Sequence, residues 1–156
     1  MPLLATMGKV GDLWFVAKSG LFHSTDSGRS FAMVRSPLRV MVLGLGKAPP
    51  GRTYPALFAI GVHDDVRAIW RSDDVGVTWV RVNDARHEYG RLFRCIAGDP
   101  RVFGRVYVGT DGRGIVYGEP SGARDPLSAR ESWSAGKASG AAEAASAGKA
   151  SPNGFH

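Results

Sequence analysis

The sequence predicts an all-β fold assembled from repeated sheets. Ten short runs rich in Val, Ile, Phe, Tyr and Trp follow one another from residue 12 to 118, with Gly, Pro, Asn or Asp in the gaps. No stretch of ten or more residues keeps apolar positions at i, i+3, i+4 and i+7, so nothing favours a helix. One turn motif is also used twice at the same offsets: Ser24-x-Asp26-x-Gly28-x-Ser30-Phe31 and Ser72-x-Asp74-x-Gly76-x-Thr78-Trp79.

In chain order the runs are DLWFVA, GLFHST and SFAMVR, then VMVLGLG, ALFAIGV, VRAIWRS and TWVRVN, then LFRCIAG, RVYVGT and GIVYG. The repeated motif turns the chain between two antiparallel strands. Asp26 and Asp74 accept hydrogen bonds from backbone N–H groups of the turn, as Asx turns do. Gly28 and Gly76 supply a positive φ that a side chain resists. Trp79, and Phe31 in the first copy, then folds over its hairpin. Asp26 and Asp74 are structural acids in this reading, with Ser24 and Ser72 opening the turns.

The two aspartates lie 48 residues apart, a spacing within the range of about 40–50 residues for propeller repeats. Four strands fit between equivalent points, as a propeller blade requires. The expected fold is therefore a partial β-propeller of about two blades plus extra strands, spanning residues 1–120. From 121 to 156 the composition changes: 22 of these 36 residues are Ala, Ser or Gly, and SAGKAS occurs twice. Such a segment has too little apolar bulk to offset the entropy of ordering and is expected to be a flexible tail or linker. Its Gly-Lys pairs are not a phosphate loop, because Ala follows each lysine.

Bulk properties exclude several classes. The net charge is +6, yet the 15 arginines are spread along the chain rather than gathered on one stripe, which argues against a nucleic-acid partner. No segment approaches the roughly 20 apolar residues that span a bilayer, so no membrane role is expected. The N-terminus has no apolar core of the length an export signal needs, which suggests a cytoplasmic chain if expressed alone. One cysteine precludes an internal disulfide, and four histidines without a close ligand pair suggest neither a metal site nor a cofactor. Cys95, in the apolar run FRCIAG, reads as a small buried hydrophobe.

The repeated turn is the Asp-box, or BNR, motif, which by itself indicates a turn and little more. Its surroundings narrow the field. GDLWFVAKSGLFHSTDSGRSF, GKAPPGRTYPALFAIG, IWRSDDVGVTWVRVNDARHEYG and GDPRVFGRVYVGTDGRGIVYGEP resemble, in order, the closing stretch of glycoside hydrolase family 74, the xyloglucanases and related endo-β-1,4-glucanases. The resemblance implies a C-terminal piece of an enzyme with two seven-bladed propellers and a cleft for β-glucan or xyloglucan between them. It also implies an extracellular setting for the parent enzyme. Hydrolysis in the family is inverting, with two carboxyls about 6.5–9.5 Å apart, and one catalytic aspartate lies near the start of each propeller. Both positions fall upstream of this stretch, so the resemblance implies no catalytic residue here and an upstream propeller half, possible as a separate chain, to supply them.

The family commonly shows Asn-Asp-Asp-Gln-His-Gln-Tyr-Gly after the second Asp-box. Asn83, Asp84, His87, Tyr89 and Gly90 match it, whereas Ala85, Arg86 and Glu88 depart from it; Arg94, Cys95 and Asp111 are further departures. Asp84, His87 and Tyr89 form the one dense polar-aromatic group outside the Asp-boxes. A tyrosine can stack on a pyranose while Asp and His bond its hydroxyls; equally, the three can fix a loop to its neighbouring strand. Trp70 reads as packing between blades, and Asp64 and Asp65 as solvation of a turn. The alternative function is a non-catalytic Asp-box module that binds a glycan or a protein partner.

Overall fold

The computed structural model describes residues 3–83, 93–112, 114–121 and 132–137. Its strands are β1 (Leu3–Ala5), β2 (Leu13–Ala17), β3 (Gly20–Ser24), β4 (Ala32–Met33), β5 (Arg39–Leu45), β6 (Leu57–His63), β7 (Val66–Ser72), β8 (Val80–Arg81), β9 (Phe93–Gly98), β10 (Val106–Thr110), β11 (Ile115–Ser121) and β12 (Ser132–Lys137). No helix occurs among the described residues. The strands form three antiparallel four-stranded sheets in chain order, β1-β2-β3-β4, β5-β6-β7-β8 and β9-β10-β11-β12. All ten sequence runs appear as strands, β2 to β11, and the strands beyond two repeats form the third sheet.

The third sheet extends past residue 120. β11 continues to Ser121, and β12 pairs with it from Val116↔Lys137 to Ser121↔Ser132. The first SAGKAS copy therefore begins in a strand rather than in a flexible tail. Composition misses this because a sheet edge recruits backbone N–H and C=O groups, not apolar bulk. Residues 122–131 and 138–156 of the expected tail lie outside the described residues.

Two apolar layers join the three sheets. Between the first and second sit Trp14, Val16, Leu21, Leu38, Val40, Leu43, Leu57, Ala59, Ala68 and Trp70. Between the second and third sit Ala56, Phe58, Ile60, Ile69, Val82, Ile96, Val106, Val108 and Val116. Strand alternation explains the division: in β6, Leu57 and Ala59 face one way, Phe58 and Ile60 the other, so both faces of the middle sheet are covered. Trp70 packs between sheets as expected and donates its indole N–H to Gly61 O at 3.1 Å. Cys95 does not follow expectation. It is exposed, because Ile96 takes the inward position and alternation turns Cys95 outward.

The innermost strands β5 and β9 approach closely. A Cβ at Gly98 would stand 2.5 Å from Gly46 Cα and 2.7 Å from the Phe58 ring. Lys47 N–H donates to Asp99 O at 2.8 Å across the same junction. Small residues there let the two backbones touch.

Candidate functional site

Reversal at every strand sorts the connections to two ends. The β1–β2 loop touches the β5–β6 loop through Asp12 and Tyr54, and the latter touches the β9–β10 loop through Lys47 and Asp99. Those loops share one end with the Asp-box turns. At the other end lie the β2–β3, β6–β7 and β10–β11 turns. The same end holds the termini of β8 and β9 that residues 84–92 connect.

The Asp-box end is built from repeated chemistry. In the first box, Ser24 Oγ donates to Asp26 at 2.8 Å, Gly28 N–H donates to Ser24 Oγ at 2.9 Å, and Ser30 gives Asp26 its N–H at 2.9 Å and its hydroxyl at 2.6 Å. The second repeats this with Ser72, Asp74, Gly76 and Thr78 at 2.8, 2.8, 2.8 and 2.5 Å. Two successive residues in each turn have positive φ, Ser27 at 63° with Gly28 at 82° and Val75 at 62° with Gly76 at 85°, as a type I′ hairpin turn requires. The hydroxyl and N–H of Ser30, then Ser24, hold Asp26 down at about 2. Burial pushes Asp74 up, but the bonds from Thr78 and Ser72 outweigh it and leave it below the usual carboxylate range. Trp79 donates to Gly76 O at 3.0 Å and to Ser36 Oγ at 2.8 Å, closing its hairpin onto the preceding sheet. Phe31 packs edge-on against Phe15 and remains 39% exposed.

A second polar cluster beside the first box was not read from the sequence. Thr6 donates its hydroxyl to Asp12, Tyr54 donates to Asp12 at 2.7 Å, and His23 Nε2 lies 3.0 Å from the other Asp12 oxygen. Trp14 donates its indole N–H to the Tyr54 hydroxyl oxygen at 2.8 Å and stacks on His23 with centroids 4.1 Å apart. Burial pushes Asp12 up, yet the Thr6, Tyr54 and His23 bonds prevail and lower it. Burial and the bond to Asp12 push the Tyr54 phenol up to about 12. In the third sheet Asp99 takes the corresponding place. Its carboxylate accepts the Arg101 and Val102 N–H groups at 2.7 and 3.0 Å, and Tyr107 and Arg105 at 3.0 and 3.4 Å. The Arg101 N–H first, then Val102, Tyr107 and Arg105, hold it at about 2 against the opposing effect of burial. Asp12, Asp26, Asp74 and Asp99 are thus all engaged within the fold. Such carboxylates clasp loops; they are not poised to move a proton.

At the opposite end, Asp64 and Asp65 form the β6–β7 turn with φ of 48° and 59°. His63 Nδ1 lies 2.9 Å from Asp64 Oδ2, so this turn is paired as well as solvated. Asn83 is buried, and its side-chain oxygen accepts the Ile69 N–H at 2.7 Å, fixing the chain where it leaves β8. Asp84, His87 and Tyr89 lie outside the described residues, and so does the question of which atoms they touch. Asp111, one of the departures from the family pattern, lies in the β10–β11 turn at this same end. Among the described residues no group of three or more His, Cys, Asp or Glu could hold a metal ion.

Stacked four-stranded meanders with Asp-box turns at one end define the class: part of a β-propeller. Comparison with known proteins then gives the family. The chain is 47% identical over 127 residues to a xyloglucanase of Paenibacillus sp, covering 78% of this chain and 12% of the relative. It is 50% identical over 118 residues to xyloglucanase Xgh74A of Acetivibrio thermocellus, covering 75% of this chain and 14% of that one. Among solved structures, the GH74 enzyme of Niastella koreensis matches with a TM-score of 0.68 and 38% identity over 74% of this chain and 17% of that one. The GH74 xyloglucanase of Xanthomonas campestris matches with a TM-score of 0.68 and 37% identity over 76% and 16%. No family model matches the chain. The chain belongs to glycoside hydrolase family 74, and it spans only 12–14% of the length of the two curated relatives described above.

Proposed function

We propose that this chain is the C-terminal closing part of a xyloglucan-cleaving, inverting endo-glycosidase, that it shapes one side of the glucan cleft, and that its acid and base come from upstream sequence. What carries the reading is its identity of 47–50% with xyloglucanases over three quarters of the chain. The geometry adds a direction. The connection at 84–92 springs from the end opposite the Asp-boxes, away from the loop-clasping carboxylates Asp12, Asp26, Asp74 and Asp99. In this reading Tyr89 stacks on a sugar ring while Asp84 and His87 bond its hydroxyls. The whole enzyme works outside the cell on polymeric glucan, and the upstream half is its natural partner.

The purified chain is expected to release no reducing sugar from xyloglucan or carboxymethyl-cellulose above background. It is expected to regain release when mixed with the upstream half. Tyr89→Ala should weaken binding of a xyloglucan oligosaccharide about tenfold, the worth of one stacking contact. Hydrolysis by the chain alone, abolished by Asp84→Asn in a folded protein, would overturn the assignment. A second reading, a non-catalytic module that binds a glycan or a protein, is favoured by the engagement of Asp12, Asp26, Asp74 and Asp99. Glycan binding without any rescue of hydrolysis by the upstream half would select it.

A further inference from the structure

The β10–β11 turn, Thr110-Asp111-Gly112-Arg113-Gly114, holds the one Asp-Gly pair in the chain. In such a pair the backbone nitrogen of the second residue can close a five-membered ring onto the aspartate carboxyl. A side chain on that second residue hinders the approach, and glycine has none. Both Asp111 and Gly112 are exposed. Gly112 has a φ of 96°, and a Cβ built on it would meet nothing within 4 Å, so the ring has room to close.

The other described aspartates lack these conditions. Asp12, Asp26 and Asp74 precede Leu13, Ser27 and Val75, and their carboxylates accept hydroxyl bonds from Thr6, Ser30 and Thr78. Those bonds help to keep each carboxyl ionised, and an ionised carboxyl is a poor target for a nitrogen nucleophile. Asp99 precedes Pro100, whose nitrogen has no hydrogen to give up. Asp64, Asp65 and Asp73 precede Asp65, Val66 and Asp74, all of which carry side chains.

We propose that Asp111 is a site of spontaneous isomerisation to isoaspartate. The Gly112 nitrogen attacks the protonated Asp111 carboxyl at Cγ. A C–N bond forms, and the carboxyl hydroxyl leaves as water with the amide hydrogen. Water then adds back at either carbonyl of this succinimide. Opening at Cγ returns aspartate. Opening at the former main-chain carbonyl breaks its bond to the Gly112 nitrogen, leaves the chain running through Cγ, and frees an α-carboxylate. Nothing is oxidised or reduced, and the net mass is unchanged. The backbone gains a carbon inside a closed turn, where Thr110 gives Gly114 O its N–H at 3.0 Å and its hydroxyl at 2.8 Å. The added atom shifts these partners and loosens the turn. The inference rests on this turn and not on the glucan reading, so either can fail alone.

Incubating the full chain at neutral pH and mapping it with trypsin tests the proposal, because cleavage after Arg105 and Arg113 isolates VYVGTDGR. The expected result is a second peptide of identical mass and shifted retention, and a form lighter by one water when the incubation is mildly acidic. An isoaspartyl methyltransferase should transfer labelled methyl groups from S-adenosylmethionine to the second peptide. Asp111→Glu should abolish that peptide, since the longer side chain would need a six-membered ring. Gly112→Ala should slow its formation about tenfold. Should the positive φ keep that variant from folding, the parent's own SGLFHSTDSGR peptide decides, with Asp26 expected to isomerise at least about tenfold more slowly than Asp111. Amide exchange at Thr110 should rise in the isomerised fraction, and unchanged exchange would overturn the loosening of the turn. A folded chain that keeps VYVGTDGR intact, while the synthetic peptide isomerises beside it, would overturn the site itself. Isomer at Asp26 or Asp64 as fast as at Asp111 would overturn its assignment to this one pair.

Discussion

The two Asp-box turns have the same hydrogen-bond plan and different surroundings. In both, a serine hydroxyl and an aspartate divide the donors of a type I′ turn at nearly equal distances. Around the second, the atoms nearest a Cβ at Gly76 would belong to Val34, Leu21 and Leu57, two of them from the preceding sheet and the segment after it, and Trp79 reaches Ser36 of that same segment. Around the first, the atoms nearest a Cβ at Gly28 would belong to Leu13 and Phe31 of the same sheet and its own turn. The turn is therefore a self-contained device, built from local donors and acceptors. Its aromatic residue is an inter-sheet device: Trp79 is half-buried and bonds Ser36 of the preceding segment, whereas Phe31 packs on Phe15 of its own sheet.

The largest expected contrast lies in those aromatics. Trp79→Ala should cost about 2–3 kcal/mol, toward the lower end for aromatic truncation because the ring is half-buried, while Phe31→Ala should cost less than about 1 kcal/mol. Urea unfolding of the two variants measures the difference. Equal costs would show that the first box is also covered in solution.

Acid unfolding probes the shared part. Asp26 titrates at about 2 in the fold against 3.8 unperturbed, and Asp74 is lowered in the same direction. A depressed carboxyl stabilises the fold fully above its unfolded value, and that contribution drains away as pH falls from about 4 toward 2. Asp26→Asn and Asp74→Asn should each lower stability at pH 7 and flatten the decline between pH 4 and 2. An unchanged acid limb in either variant would mean that the carboxylate is not holding its turn.

Smaller effects separate the boxes further. Ser36→Ala removes one of two acceptors for the Trp79 indole and should cost about 0.5–1 kcal/mol, since Gly76 O remains. Ser27→Asn puts a residue tolerant of positive φ at an exposed turn position and should stabilise by a few tenths, up to about 0.5 kcal/mol. Val75→Asn in the second box should gain less or lose, because Val75 also packs into the layer between the sheets. Thermal melts of the pair decide the sign.

Much of the fold was legible because its signals are local. Alternation and turn residues mark β2 to β11, and the serine-aspartate-glycine spacing marks both hairpins. β1 is three residues without a β-branched side chain, and β12 sits in an Ala-Ser-Gly segment, so each owes its place to a neighbouring strand rather than to its own residues. Cys95 was misread because an apolar run does not disclose which parity faces the core. The Thr6–Asp12–His23–Tyr54 cluster was invisible for a different reason. Its members are scattered over the first two repeats and meet only when the sheets stack. Asn83 was noticed as part of a family run, while its bond to Ile69 N–H needed the strand register. Of the candidate sugar contacts, the sequence names Asp84, His87 and Tyr89, and the strands bracketing them set the end of the molecule from which they spring.

The contact between Gly46 and Gly98 sets more than a local clearance. Because β5 and β9 touch backbone to backbone there, the second and third sheets are closer at their inner strands than side chains would permit, and the pair behaves as a wedge. The apex angle of such a wedge fixes how much of a full circle each one occupies, and hence how many fit around a common axis. A methyl group at either glycine would thicken the apex, narrow that share and favour a wider circle with more members. Two hydrogen atoms in place of side chains thus act on the circumference of the whole assembly, a quantity that no single sheet contains.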